Sequence, residues 1–373
     1  MKMIYLANFS SIMNENDIGV WKKIFSQTRA FVELGYEPLL IMFDDFRVYK
    51  ADYMTHQKEI CYFSSIKKTY EYVLQILKEI SPELIYIRYR FIVNHYIDEF
   101  YQSLSESFDR CICEIPTYPY DDEFKKNSAD LIIDQHHRIH LKDYFKFIVS
   151  YGIHTEILGI PAISISNGID LKGIPRKKVS DKKEKINLVA MASMNFWHGF
   201  DRVLEGLYQY YQNEPTHRIE FYMIGEGPES DRYHCLVEKY KLNQYVHEMG
   251  MINDQKRLKE IFDDMDIAIG SVGMHRANCE VASPIKAAEY CARGIPFVIG
   301  YNDISFDEKF EYILKVNRSE KAINIDEILA FYQKLDLDKA ANAMHQYAKE
   351  KLTWTGQMKK VLDRFQEGKD ILL

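Results

Sequence analysis

The chain is sparing with the residues that mark unusual proteins. Its 373 residues include 17 Gly and 10 Pro, too few for a collagen-like, disordered or low-complexity chain. Six Cys are scattered at 61, 111, 113, 235, 279 and 291. Cys111 and Cys113 alternate on a predicted strand, which is neither a redox nor a zinc spacing, so reduced thiols are expected. His136 and His137 adjoin each other, and no Cys/His/Asp set has ligand spacing, so no metal site is expected. No apolar run approaches the roughly 18 residues of a membrane span. The start lacks the length and small-residue cleavage site of a signal peptide, so the expected location is cytoplasmic. A cationic surplus is also missing. Lys+Arg number 48 against 55 Asp+Glu, a net charge of -7, which argues against a nucleic-acid partner.

What is present is a globular composition, 47% hydrophobic and 28% charged, with length for two domains. Aromatics reach 14%, led by 27 Tyr, through compositional drift or through rings that stack on sugars. Short apolar runs alternate with amphipathic segments. Strands are predicted at 3–7 (MIYLA), 37–43 (EPLLIMF), 84–88 (LIYIR), 110–115 (RCICEI), 130–133 and 147–150. Helical patterns separate them, the first opening at Gly19 and stopping at Gly35. The rhythm breaks after residue 170. Residues 176–185 are charged and almost free of apolar side chains, and read as a solvated linker. The pattern then restarts, with strands at 186–191, 219–224, 245–249, 266–270 and 297–299 and helices between them. Strands alternating with helices predict parallel sheets. The chain therefore divides into an α/β domain over 1–170, a charged linker over 171–185, a second α/β domain over 186–345, and a C-terminal stretch over 346–373. In that last stretch Met358, Val361, Leu362 and Phe365 form one apolar helix side that needs a partner.

The most informative segment is 283–296 (SPIKAAEYCARGIP). Ser283 suits an N-cap and Pro284 a first helical position. The free N–H groups and positive dipole end of such a helix make an anion site. Lys286 in the first turn has the wrong sign for helix stability and makes sense beside a bound anion. Lys286, Glu289 and Arg293 share one helix face. The Glu289 carboxylate can accept two hydrogen bonds from a vicinal diol such as ribose. The competing reading is a plain surface pair with Lys286.

Taken in order, further motifs resemble the donor half of a GT-B glycosyltransferase of the large retaining family 4. They are 166–170 (SNGID), 197–202 (WHGFDR), 221–228 (FYMIGEGP), 266–276 (DIAIGSVGMHR) and 289–298 (EYCARGIPFV). The resemblance implies two Rossmann-like, doubly wound domains facing a central cleft that closes about the linker. It implies a nucleotide-diphosphate sugar on the second domain, with a UDP-sugar the first choice, and a glycan or lipid-linked acceptor mainly on the first. Glu289 matches the second Glu of the family's E-x7-E motif. The first Glu falls on Val281, with Glu280 one residue early. His198 stands where the family has a diphosphate-binding Lys, and Ala192 where it has an Arg. Arg276, Lys286 and Arg202 are then the groups that supply the missing charge, although Asp201 and Arg202 can instead form a structural pair. Gly19, Gly225, Ser283 and Ile285 fall at donor-contacting positions. Arg88 and Arg90 at a strand end suit an anionic acceptor, or else a salt bridge to Glu114. Tyr118 and Tyr120, on a loop with two prolines, either stack on an acceptor sugar or simply pack.

The function expected is metal-independent transfer of a sugar to a hydroxyl, with retention, in polysaccharide biosynthesis for a bacterial cell surface. His198, Lys286, Arg276 and Glu280 are the expected catalytic set. A sugar-nucleotide epimerase is disfavoured by the sparse carboxylates. A catalytically silent subunit bound to a partner glycosyltransferase or a glycan is the alternative, motivated by the missing Glu, Arg and Lys. Lys22-Lys23 and Lys67-Lys68 leave peripheral contact with the inner membrane open.

Overall fold

A computed structural model describes residues 1–9, 18–121, 124, 128–178 and 185–370. The chain forms two compact units, residues 1–166 with 354–373 and residues 167–353. The second unit thus begins at Asn167, and six residues of the expected linker, 179–184, lie outside the described residues.

The first unit runs β1 (Lys2–Asn8), α1 (Ile18–Glu33), β2 (Glu37–Phe43), β3 (Arg47–Asp52), β4 (Lys58–Tyr62), α2 (Ile66–Ile80), β5 (Leu84–Arg88), α3 (His95–Ser107), β6 (Cys111–Ile115), α4 (Ala129–His137), α5 (Leu141–Tyr144), β7 (Ile148–Tyr151), β8 (Glu156–Ile157) and β9 (Ile160–Ile165). Its sheet has the order β4-β3-β2-β1-β5-β6-β7-β9-β8. All pairs from β2 through β9 are parallel, while β3, β4 and β8 pair antiparallel at the edges. Strand β1 shows why its apolar run is continuous. Ile4 and Leu6 enter one core with α2 and α3, and Met3, Tyr5 and Ala7 enter the other with α1. Successive side chains of a strand point to opposite faces, so a strand covered on both faces must be apolar throughout.

The second unit runs β10 (Lys185–Met191), α6 (Phe200–Gln212), β11 (Arg218–Ile224), α7 (Ser230–Lys239), β12 (Val246–Gly250), α8 (Gln255–Asp263), β13 (Ile267–Ile269), β14 (Val281–Ala282), α9 (Ile285–Arg293), β15 (Phe297–Ile299), β16 (Asn302–Asp303), β17 (Ile313–Lys315), α10 (Ile325–Lys334) and α11 (Leu337–Lys351). Its main sheet is parallel, ordered β12-β11-β10-β13-β15-β17. The final helix α12 (Trp354–Asp370) belongs to the first unit. There Met358, Val361, Leu362 and Phe365 are buried in the core that holds Ile24 and Phe31 of α1. Each such side chain contributes roughly 1.5–3 kcal/mol when fully buried.

Three expectations change. Residues 130–133 are not a strand but lie in α4, because Ser128 caps the helix by accepting from the Leu131 N–H at 3.2 Å. Its Ile132 is exposed, whereas Asp134 is buried on hydrogen bonds from Tyr89 (3.0 Å), Tyr120 (3.1 Å) and the Ile92 N–H (2.8 Å). Tyr120 is therefore a core residue and not a stacking platform. The start of the charged stretch is not wholly solvated either. Lys177 is buried, with its Nζ on the Met265 carbonyl and its N–H donating to Arg293 O at 2.8 Å. No helix among the described residues is long and apolar enough to cross a membrane.

Candidate functional site

In an open parallel sheet, ligands bind beyond the carboxyl ends of the strands, where the strand order reverses. In the second unit that point lies between β10 and β13. The chain goes outward from β10 through β11 to β12, then returns to β13 on the other side of β10.

The two loops at this point interlock. Gly199 follows the turn after β10 with φ of +68°, and a Cβ there would lie 2.7 Å from the Gly273 nitrogen in the loop after β13. The Val272 N–H donates to His198 O at 2.9 Å. That packing brings the His198 ring to the Ser271 hydroxyl, with Nδ1 and Oγ 3.0 Å apart. From α9, Lys286 Nζ reaches the same Nδ1 at 3.1 Å. His198 and Lys286, separate candidates in the sequence, are joined by the fold, which adds Ser271 from the DIAIGSVGMHR motif, a residue with no signal of its own in the sequence.

An ammonium only donates, so when Lys286 is charged Nδ1 is an acceptor and the ring proton sits on Nε2. That Nε2 is buried and makes no hydrogen bond within the described residues. Burial and the Lys286 charge push the imidazole pKa down to about 3, so His198 is neutral at ordinary pH. Burial likewise lowers the Lys286 ammonium to about 7, against the opposing pull of Glu289.

Helix α9 starts one residue later than expected. Pro284 occupies the cap position, and no side chain caps the helix. The Ser283 hydroxyl instead lies 2.6 Å from Ser305 Oγ and accepts from the Asn167 N–H at 3.2 Å. The first N–H groups of α9 are thus left without a side-chain acceptor, and Ile285 at the first helical position is half exposed. Glu289 makes no hydrogen bond or ion pair with a described residue within bonding distance, and burial pushes its carboxyl pKa up. Arg293, expected on the same working face, lies over the Phe262 ring at 4.3 Å and is buried.

Two of the expected catalytic residues are engaged elsewhere. All five N–H groups of Arg276 are used. Nη1 and Nη2 bind Asp201 at 2.9 and 2.8 Å, Nη2 and Nε bind Glu320 at 2.5 and 3.0 Å, and Nη1 also binds Phe196 O at 3.0 Å. Arg276 therefore ties the two loops together, and no N–H remains for a phosphate. Glu280 is exposed and paired with Arg318 at 2.9 Å, so it does not stand in for the carboxylate that Val281 lacks. Arg202 donates to the carbonyls of Lys321 (2.8 Å), Asn317 (3.0 Å) and Val272, which makes it a backbone clamp and no partner of Asp201. Gly19 lies in the first turn of α1, not in a turn before it, and residues 10–17 are outside the described residues.

Gly225 is needed on steric grounds. It sits just past β11 with φ of +111°, and a Cβ would fall 2.0 Å from the Ala192 carbonyl oxygen. Replacing it with Ala forces the loop after β10 to move, and is expected to destabilise the fold by at least about 2 kcal/mol in a urea titration. Gly225, Gly227, Gly250, Ser230, His234 and Met194 are among the residues lining a cavity of about 560 Å³ at the ends of β11 and β12, rimmed by Glu226, Asp231 and Glu248. Among the described residues no three His, Cys, Asp or Glu side chains are placed to share a metal ion.

The two units and their strand orders define the GT-B fold. No protein-family model matches the sequence, and no curated protein matches it. Solved structures do match. A glycosyltransferase from Rickettsia africae superposes with a TM-score of 0.65 at 12% identity, covering 98% of each chain. HepE from Anabaena, in complex with UDP, gives 0.63 at 10% identity over 98% of this chain and 100% of that one. Sucrose-phosphate synthase from Thermosynechococcus elongatus gives 0.57 at 13% identity over 100% and 99%. At these identities the likeness establishes the fold.

Proposed function

We propose that this chain is a glycosyltransferase that binds a nucleotide-diphosphate sugar on the 167–353 unit and transfers the sugar to a hydroxyl of a glycan or lipid-linked acceptor. The observation that carries this reading is the His198–Ser271–Lys286 cluster at the switch point, with an unpaired buried Nε2. Lys286, held on His198 Nδ1, and the uncapped start of α9 supply donors and positive charge for a departing diphosphate. Glu289, unpaired one turn further along α9, takes the ribose hydroxyls. The cavity beside Gly225 and Gly250 takes the base, with UDP the first choice because the UDP complex of HepE shares the fold. No metal is required in this scheme, since the Lys286 ammonium and the N–H donors at the start of α9 do the neutralising. Retention of configuration follows from the family resemblance.

Calorimetric titration with UDP, GDP and dTDP, with and without magnesium, tests the proposal. One nucleotide is expected to bind in the micromolar range. Glu289→Ala should weaken it by about tenfold or more through loss of hydrogen bonds to a charged group. A second reading, a silent GT-B subunit, is favoured by Val281 and by the Glu280–Arg318 pair. Absence of binding by all three nucleotides to folded protein decides for it.

A further inference from the structure

The first unit has its own switch point, between β1 and β5, since the chain leaves β1 for β2 on one side and returns to β5 on the other. A pocket of about 470 Å³ opens there, lined by the ends of β1 (Asn8, Phe9), β5 (Arg88 to Val93) and β6 (Ile115 to Thr117), with Val20, Phe124 and Asp130. Its size is that of a small-molecule site.

Two arginines from one strand end form its polar wall, and each is only half used. Arg88 Nη1 donates to Glu114 at 2.5 Å. Arg90 Nη1 donates to Asp45 (2.8 Å) and Asn8 Oδ1 (3.0 Å), with the Tyr70 hydroxyl at 3.4 Å. The Nε and Nη2 groups of both make no hydrogen bond within the described residues. The two side chains are 12% and 11% exposed. Lys23 adds charge behind Arg88. Its Nζ lies 3.5 Å from the centre of the Tyr151 ring and shares Glu114 electrostatically with Arg88, although burial lowers its pKa to about 7. Asp130 at the rim is the one carboxylate among the described lining residues, and it is exposed. The other wall is aromatic. Tyr89 and Phe91 line it, and Phe91 packs on Phe124 with centroids 4.6 Å apart. Ring faces carry negative potential and accept the C–H face of a sugar, while paired guanidinium edges accept a carboxylate or phosphate in two-pronged fashion.

We propose that this pocket binds a saccharide bearing an acidic group, a carboxylate or a phosphate, and that the acceptor of the transfer is of that class. The identity of the ligand as acceptor rests on the transferase reading; the binding preference does not. The test titrates the full chain with glucuronate, glucose 6-phosphate, glucose and inorganic phosphate at low salt. One or both acidic sugars should bind at least about tenfold more tightly than glucose and than phosphate alone, and which one wins names the acidic group. Arg90→Gln should remove that preference, since it deletes the free N–H edge and keeps an amide for Asp45. Arg88→Lys, which keeps a cation beside Glu114, should weaken it without unfolding the protein. Equal binding of glucose and the acidic sugars, or phosphate binding as well as either, overturns the proposal, as does an unchanged preference in Arg90→Gln. A UDP titration on the same samples separates the two readings. UDP binding without acidic-sugar preference leaves the transferase standing and removes this inference; the reverse result removes the transferase and keeps the site.

Discussion

Nucleotide-diphosphate binding should weaken by about tenfold for each pH unit above 7, and this dependence should vanish in Lys286→Met. Lys286 is brought to about 7 in the free protein by burial. A diphosphate beside it favours the charged form and raises that pKa. Below pH 7 the ammonium is charged with or without ligand, and affinity is flat. Above pH 7 the free protein has lost the proton and the complex keeps it, so binding takes up one proton and falls one decade per unit until the raised pKa is passed. His198 adds nothing to this slope, because its pKa of about 3 keeps it neutral throughout. Calorimetry from pH 6 to 9 in buffers of different ionisation enthalpy measures both the affinity and the proton uptake. Flat affinity with no proton uptake would sink the placement of the diphosphate beside Lys286. In Lys286→Met the His198 Nδ1 loses its ammonium partner, so affinity at pH 7 should also drop by about tenfold.

Glu114→Gln should destabilise the first unit by about 3–5 kcal/mol, the usual cost of breaking a buried ion pair. Glu114 is fully buried at the end of β6. It accepts from Tyr86 and Gln27, both at 2.6 Å, and from Arg88 at 2.5 Å. Burial pushes its pKa up, but Lys23 and Arg88 and the hydrogen bonds outweigh that and hold it below the usual carboxylate range. The amide keeps the shape and removes the charge. Lys23 can then shed its proton, since burial has already brought it to about 7. Arg88 cannot, so its charge is left buried without a counterion. Urea unfolding followed by tryptophan fluorescence reports the change, as Trp21 and Trp354 lie in this unit. A loss under about 1 kcal/mol would show that solvent reaches Arg88 well enough to replace Glu114.

Much of the architecture was legible because its signals are local. Runs such as EPLLIMF and KINLVAM can only be strands covered on both faces, and glycines and prolines set the limits of α1 and α9. The 130–133 segment reads as a strand because DLII has the composition of a buried one. Only the Ser128 cap and the three donors gathered on Asp134 show that it is a helix with Ile132 outward. Strand β4 at the sheet edge and its neighbour β3 leave little mark in the sequence for a similar reason, since partly exposed strands carry little apolar pattern.

The sequence by itself determined two parallel α/β units, a helix start bearing Lys286 and Glu289, and a final helix with an apolar side that had to be covered. Each of these depends on residues within about one or two turns of one another. Which charged groups are free to meet a ligand was decided by the tertiary structure alone. Arg276 and Glu280 read as ligands in the chain, yet Asp201, Glu320 and Arg318 claim them. His198 and Ser271, 73 residues apart, become partners because Gly199 and Gly273 let two loops touch. A charge is available only when no nearby countercharge has taken it, and that proximity is a property of the fold.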